Sequence, residues 1–310
     1  MGTPGFAVEP LRAILAAGFN VVGVITAPDK PAGRGLSLSF SAVKQFALEH
    51  QLNILQPEKL KDAAFQETLK ALQPDVQVVV AFRMLPESVW SLPTVGTFNL
   101  HASLLPHYRG AAPINWAVIN GETETGVSTF FIEHEIDTGK IIFQEKVAIQ
   151  PADNAGIVHD KLMETGSALV VKTLKAIEQG NYPQIPQQMP TDGVLKAAPK
   201  LFTDTCRIDW NQKAESIHNL IRGLSPYPAA FTTLVKEEKT FTLKIFASQF
   251  ETVAHQHKPG TLVSDRKKFL KIATPDGFIS VLNLQMQGKK RLDIEEFLRG
   301  MQQIESFCCQ

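Results

Sequence analysis

The sequence predicts a doubly wound, mostly parallel α/β domain followed by a small β-barrel. Three observations carry that prediction. Short apolar runs rich in β-branched residues, NVVGVIT at 20–26 and DVQVVVAF at 75–82, read as strands buried on both faces. Between such runs lie stretches whose apolar residues recur at helical spacing, and strands alternating with helices build a parallel sheet. Beyond Pro226-Tyr227-Pro228 the pattern changes to closely spaced β-like runs at 231–235, 241–246, 261–263, 269–274 and 278–284, a spacing that suits a barrel.

Taken in order, Gly2-Thr3-Pro4-Gly5 reads as a turn. Leu11, Ile14 and Leu15 place a helix over 7–17, ended by Gly18. The polar, turn-rich loop APDKPAGRG follows the first strand. Helices are expected at 41–50 and 63–72, with a short strand at 53–55 between them. Strands follow at 75–82 and 95–101, and a helix opens on Pro113, the residue best suited to a first helical position. Strands at 127–132 and 140–149 lead to a long helix over 155–179. From Gly180 to Lys200 the chain turns rich in Pro and Gln and reads as a linker. The expected division is a first domain at 1–180, a linker at 181–203 and a second domain at 204–310, which opens with a helix at 217–224. A doubly wound domain ordinarily begins with a strand leading into its first glycine turn. Here the turn comes at residue 2, so either that strand is absent or the chain continues upstream of Met1.

A length of 310 residues suits two domains, and 44% apolar with 20% charged residues is ordinary for a globular chain. No apolar run approaches the ~18 residues of a membrane span. The N-terminus lacks the basic and apolar segments of a secretory signal. The cysteines are Cys206 and the adjacent pair Cys308 and Cys309, which form neither a disulfide framework nor a metal-ligand spacing. A reducing cytoplasm, a monomer and no membrane or metal partner are expected. The charge is uneven. Residues 1–199 carry 15 Lys and Arg against 19 Asp and Glu, and residues 200–310 carry 16 against 12. A basic second half suits docking of a polyanion, although solvated lysines give the same count.

The stretch FNLHASLLPHYRGAAP at 98–113 concentrates chemistry. Asn99 and His101, two apart on a strand, share a face. An amide can stabilise a developing oxyanion, and an imidazole can move a proton near neutral pH. Read alone, the pair fits buried polar residues satisfied by neighbours better; the loop formers after a strand end in an open α/β sheet are what favour chemistry. Asp137, in HEIDTGK, could orient His101 as the third member of a triad does, but from spacing alone an ordinary turn Asp in Asp-Thr-Gly is the better reading. GxGxxG, GxxxxGK[ST], HExxH and GxSxG are all absent, so nucleotide-hydrolase and serine-hydrolase readings lack support. Arg34, in DKPAGRG, suits a phosphate or base contact. Arg266-Lys267-Lys268 and Lys289-Lys290-Arg291 are the densest basic clusters, each at an expected turn where a nucleic-acid backbone could rest.

Read together in this order, MGTPGFAV, APDKPAGRG, LQPEKLKD, NLHASLLPHYRGAAPINWAVINGETETGVS, IDTG, RIDW and GLSPYPAAFT resemble the methionyl-tRNA formyltransferase family of folate-dependent formyltransferases. SLLPHYRGAAPI is shared widely among folate-dependent formyltransferases; DKPAGRG, RIDW and the second domain narrow the resemblance to the tRNA branch. The resemblance implies a Rossmann-like domain that binds 10-formyltetrahydrofolate and an OB-like barrel that grips initiator methionyl-tRNA. It places the catalytic trio on Asn99, His101 and Asp137. It places folate binding on Ser103, Leu104, Leu105 and Pro106, and the tRNA-sensing loop on 31–41, with its arginine at Arg34. The implied reaction is transfer of the formyl group to the methionine α-amino group, with no metal. LSLSFS after Arg34, His107 and Gly5 depart from the family's usual residues. Two other readings compete. A formyltransferase for a sugar or small amine has no need of the basic β-rich half. A non-catalytic nucleic-acid binder has no need of an intact Asn99, His101 and Asp137.

Overall fold

The structure is a computed structural model that describes residues 1–32, 37–190, 193–301 and 303–309. In chain order the strands are β1 (Val24–Ile25), β2 (Lys30–Ala32), β3 (Ser37–Ser39), β4 (Ile54–Leu55), β5 (Val76–Val80), β6 (Gly96–His101), β7 (Arg109–Gly110), β8 (Glu124–Phe131) and β9 (Ile141–Ala148). They continue as β10 (Ala197–Ala198), β11 (Ala230–Lys236), β12 (Lys239–Thr252), β13 (Leu262–Ser264), β14 (Leu270–Thr274), β15 (Gly277–Met286), β16 (Leu292–Asp293) and β17 (Cys308–Cys309). The helices are α1 (Val8–Ala16), α2 (Ala42–Glu49), α3 (Ala63–Ala71), α4 (Glu87–Trp90), α5 (Pro113–Ile119), α6 (Ala155–Glu178), α7 (Ala214–Gly223) and α8 (Ile294–Gly300). Local chemistry sets several starts. Ser41 and Asp62 cap α2 and α3 by accepting from the backbone N–H of Lys44 and Phe65, and Pro113 occupies the first turn of α5.

The chain forms two compact units, each discontinuous in sequence. The first holds residues 1–110, 124–148 and 159–197; the second holds 111–123, 149–158 and 198–310.

In the first unit β5, β6, β8 and β9 pair in that order. β5 and β6 are parallel, while β8 runs antiparallel to both β6 and β9. The sheet is therefore mixed. Residues 132–140 join β8 to β9 without a crossover helix, and such a link makes neighbouring strands antiparallel. β1 and β4 form a separate parallel pair. Met1 and Gly2 run between β1 and β5: Gly2 N–H donates to Ile25 O at 3.0 Å, and Val80 N–H donates to Met1 O at 2.9 Å. Gly2 allows this approach, because a Cβ there would lie 2.4 Å from the Ala7 Cβ. Beside this crossing is a cavity of about 530 Å³ lined by Leu11, Ile14, Val22, Val76 and Leu174 among others. Of the strand expected at 20–26, only Val24–Ile25 forms a paired strand, on β4, and residues 20–25 as a whole line that cavity.

In the second unit the sheet order is β13-β14-β15-β12-β11-β17, with β16 on β15. Cys308 in β17 also bridges Thr261, next to β13, so the sheet curls into a nearly closed barrel. Register shifts between Ile245 and Ser248 bend the long β12 as a bulge does. Helix α7 lays Ile217 and Ile221 against Leu234, Leu243 and Ile245 in the barrel core. The RIDW motif belongs to this packing. Ile208 and Trp210 are buried, Trp210 Nε1 donates to Thr232 Oγ1 at 2.9 Å, and Asp209 accepts from Asn211 and Gln212 to close the turn.

Beside that core, His218 Nδ1 lies 3.0 Å from Ser248 Oγ. Burial, assisted by the Arg222 charge, lowers its pKa to about 4. The unfolded chain therefore takes up a proton near the ordinary histidine value, while the folded chain resists it until about pH 4. Stability should be full above the unfolded value and fall as pH drops towards 4, by about 2 kcal/mol after allowance for partial exposure. Denaturant titrations from pH 7 to 4.5 should show this decline, and His218→Asn should flatten it. An unaltered slope would rule out His218 as its source.

Candidate active site

β6 brings Asn99 and His101 to one face by the period-2 alternation of a strand. Leu100 points the other way: a Cβ on Gly166 of α6 would meet its side chain at 2.9 Å. Asn99 lies opposite Val79 on β5 and Phe130 on β8, which fixes its height in the sheet. No group among the described residues hydrogen-bonds the Asn99 amide, and the residue is half-buried. Among the described residues its donors are therefore uncommitted.

His101 is 6% exposed. Its Nε2 lies 2.8 Å from the carbonyl oxygen of Tyr108. A carbonyl only accepts, so Nε2 is the donor and Nδ1 is left as the ring's basic nitrogen. Nδ1 faces Asp137 Oδ2 at 3.8 Å. The Tyr108 carbonyl thus sets the tautomer. The carboxylate is held separately, by the Gly110 N–H at 2.9 Å. Asp137 adopts φ 56°, a left-handed conformation that Asp tolerates better than most residues. Both side chains are mostly shielded from water, so attraction between an imidazolium and this carboxylate is weakly screened.

The loop that follows is braced from beneath. Ser128 Oγ donates to Ser103 O at 2.6 Å and accepts from Leu105 N–H at 3.2 Å. Gln144 Nε2 donates to Leu105 O at 3.0 Å and to Ser128 Oγ at 2.8 Å, while Ser103 Oγ donates to His107 O. Ser103 and Leu105 are buried; Leu104 and Pro106 are half-buried. A Cβ on Gly126 would strike Leu104 Cδ2 at 2.5 Å, so β8 leaves room for that side chain only because it carries glycine.

Arg34 lies outside the described residues. The base of its loop is fixed by Asp29, which accepts from Lys44 Nζ at 2.5 Å and from Gln56 Nε2 at 2.8 Å. Those bonds hold the Asp29 carboxyl below the usual carboxylate range. In the second unit, Arg266, Lys267 and Lys268 occupy the β13–β14 turn. Arg266 pairs with Glu305. Asp265 accepts from the backbone of Lys268, Lys267 and Phe269, which lowers its pKa and shapes the turn. Lys289, Lys290 and Arg291 follow β15. Arg291 stacks on Phe246 at 4.2 Å and donates to Asn283, whereas the Lys289 and Lys290 side chains are exposed. Strand register brings both clusters to the same end of the sheet.

Sequence reasoning missed Tyr108, Gly110, Ser128, Gln144 and Gln187. Three of these act through backbone or small hydroxyl groups that carry no motif. Gln187 lies within the Pro- and Gln-rich segment read as a linker. That segment is pinned to the first unit, where Ile185 exchanges hydrogen bonds of 2.8 and 2.9 Å with Ile141.

Residues 2–174 match the formyl transferase family, and residues 200–302 match the formyl transferase C-terminal domain. The chain is 58% identical to the methionyl-tRNA formyltransferase of Bacteroides fragilis, over 99% of this chain and 95% of that protein. It is 59% identical to the methionyl-tRNA formyltransferase of Bacteroides thetaiotaomicron, over 97% and 94%. Among solved structures it resembles an N-formyltransferase from Helicobacter canadensis, with a TM-score of 0.64 and 20% identity over 94% of this chain and 97% of that one.

Proposed function

The chain belongs to the methionyl-tRNA formyltransferase family, and from that premise we propose that Asn99, His101 and Asp137 carry formyl transfer to the α-amino group of initiator methionyl-tRNA. The observation that carries the reading is the uncommitted Asn99 amide beside a buried His101 whose basic Nδ1 faces a carboxylate.

The cosubstrate is a formyl-folate, in our reading 10-formyltetrahydrofolate, which supplies an activated formyl group bonded to nitrogen. Leu104 and Pro106 are apolar, the backbone of the alternating Ser103 and Leu105 is bonded to Ser128 and Gln144, and a loop so braced suits a flat ring. Ser103 and Leu105 hold the loop in place. As the amine nitrogen bonds to the formyl carbon, charge builds on the formyl oxygen, and the Asn99 amide donates to it. The amine must also lose a proton. His101 Nδ1 accepts it, and Asp137 Oδ2 stabilises the imidazolium. The same proton then goes to the departing folate nitrogen, which leaves the ring neutral again. Acyl transfer by this route needs no metal.

Residues 1–180 act as the catalytic domain, 181–203 as a linker and 204–310 as the tRNA-binding domain. Arg34 and the basic turns contact the tRNA, and the chain works as a cytoplasmic monomer. Lys289 and Lys290 are better placed for phosphates than Arg266 or Arg291, whose guanidinium groups have protein partners.

Purified protein should formylate charged initiator tRNA from 10-formyltetrahydrofolate and leave free methionine unmodified. In the same assay, Lys289→Glu with Lys290→Glu should raise KM for the tRNA roughly tenfold and lessen its dependence on salt. Transfer to a sugar amine but not to tRNA would refute the substrate assignment. An unchanged KM would remove these two lysines from the interface.

A further inference from the structure

We propose that Gln187 is a positioning residue for the reaction, holding the Asp137 turn at its working distance from His101. This rests on the reading of Asp137 given above. Gln187 Nε2 donates to Asp137 O at 2.8 Å and to Gly139 O at 2.9 Å. Its Oε1 accepts from Arg109 Nε at 3.1 Å and Arg109 Nη2 at 2.6 Å. One primary amide offers two donors and two acceptor positions, and all four are used here.

The bonds close a ring. Gly110, directly after Arg109, donates its N–H to Asp137 Oδ2. The chain at 109–110 therefore grips the Asp137 carboxylate on one side and, through Gln187, the Asp137 and Gly139 carbonyls on the other. Arg109 contributes a full positive charge to the amide oxygen. That polarises the amide and strengthens its N–H bonds to the two carbonyls, as hydrogen bonds in chains do. The turn being held needs holding: Asp137 is in the left-handed region, and the carboxylate it presents stands 3.8 Å from Nδ1. A shift of about 1 Å in such a group can cost of the order of 10²-fold in rate. Gln187 is half-buried and separated by 50 residues from Asp137, and nothing in its local sequence marks it.

The test uses the full chain in the formyl-transfer assay. Gln187→Leu removes all four bonds. Gln187→Glu keeps the volume and the acceptor for Arg109 but loses both donors. Each should lower kcat roughly tenfold to 100-fold and leave KM for both substrates within about twofold, the mark of an interaction that matters in the transition state. Gln188→Leu, at an exposed neighbour, should keep the wild-type rate. In an Asp137→Asn background, Gln187→Leu should cost less than about twofold more, because a residue that acts through Asp137 is coupled to it. If Gln187→Leu fails to fold, Gln187→Glu carries the test. An unchanged kcat, or an equal loss in both backgrounds, would overturn the proposal. A wild-type chain without transfer activity would overturn the functional reading, and the proposal with it. An active wild type whose Gln187 variants match it would overturn the proposal alone.

Discussion

His101→Ala should lower kcat for formyl transfer by about 10²–10⁴-fold, the range for loss of a general acid–base group. Asn99→Ala should lower it by about 10²–10³-fold, as expected for one lost oxyanion donor. The two losses should not add, since both residues serve one transition state. Asp137→Asn separates charge from placement. Its amide oxygen can still accept from the Gly110 N–H, but an imidazolium at Nδ1 gains no opposing charge. Its rate should therefore fall while the turn stays in place. Single-turnover measurements with saturating tRNA and folate isolate the transfer step. Melting temperatures close to wild type would establish that the site and not the fold was lost. Full activity in His101→Ala would remove His101 from the chemistry.

The second large effect is expected at Gly139, two residues beyond Asp137. A Cβ there would lie 1.7 Å from the Phe131 carbonyl oxygen and 3.3 Å from Phe130 Cδ2. The first obstacle is backbone, which cannot rotate aside. Gly139→Ala must push the 137–139 turn away from β8, and overpacking of this kind costs about 1–3 kcal/mol. The turn that moves carries the carboxylate, so kcat should fall at least tenfold in protein that remains folded. Gly5→Ala is the matched control, because nothing lies within 4 Å of its Cβ. Thermal melts together with transfer rates decide the matter. A Gly139→Ala protein with wild-type melting and rate would mean the turn has slack that the close contact denies.

The helices at 8–16, 42–49, 63–71 and 155–178 follow their apolar spacing and caps closely. Strand boundaries were less legible. The run at 20–26 satisfies every local criterion for a strand, yet only two of its residues pair, because pairing depends on a neighbour and not on the run itself. Helix α8 went unread; its seven residues are too few for a clear period.

Asn99, His101 and Asp137 were legible because their side chains carry the chemistry and sit in recognisable surroundings. The Pro- and Gln-rich segment was read as a connection between domains, and its composition allowed nothing more. Its fixed position comes from bonds to Asp137, Gly139 and Arg109, partners 48 to 78 residues away. RIDW was legible as a motif, but its function as packing and turn closure was not.

By itself, then, the sequence determined which groups could do chemistry and which segments could be helix or strand. Those properties reside in residue type and in periods of 2 or 3.6, and neighbours three or four positions apart fix them. Only the tertiary structure decided that Tyr108 sets the histidine tautomer, that Gly110 and Gln187 hold the carboxylate, and that β8 and β9 make the sheet mixed. Backbone carbonyls and N–H groups are the same at every position, so no residue type announces where one will meet a side chain. That is settled when chain segments far apart in sequence fold against one another.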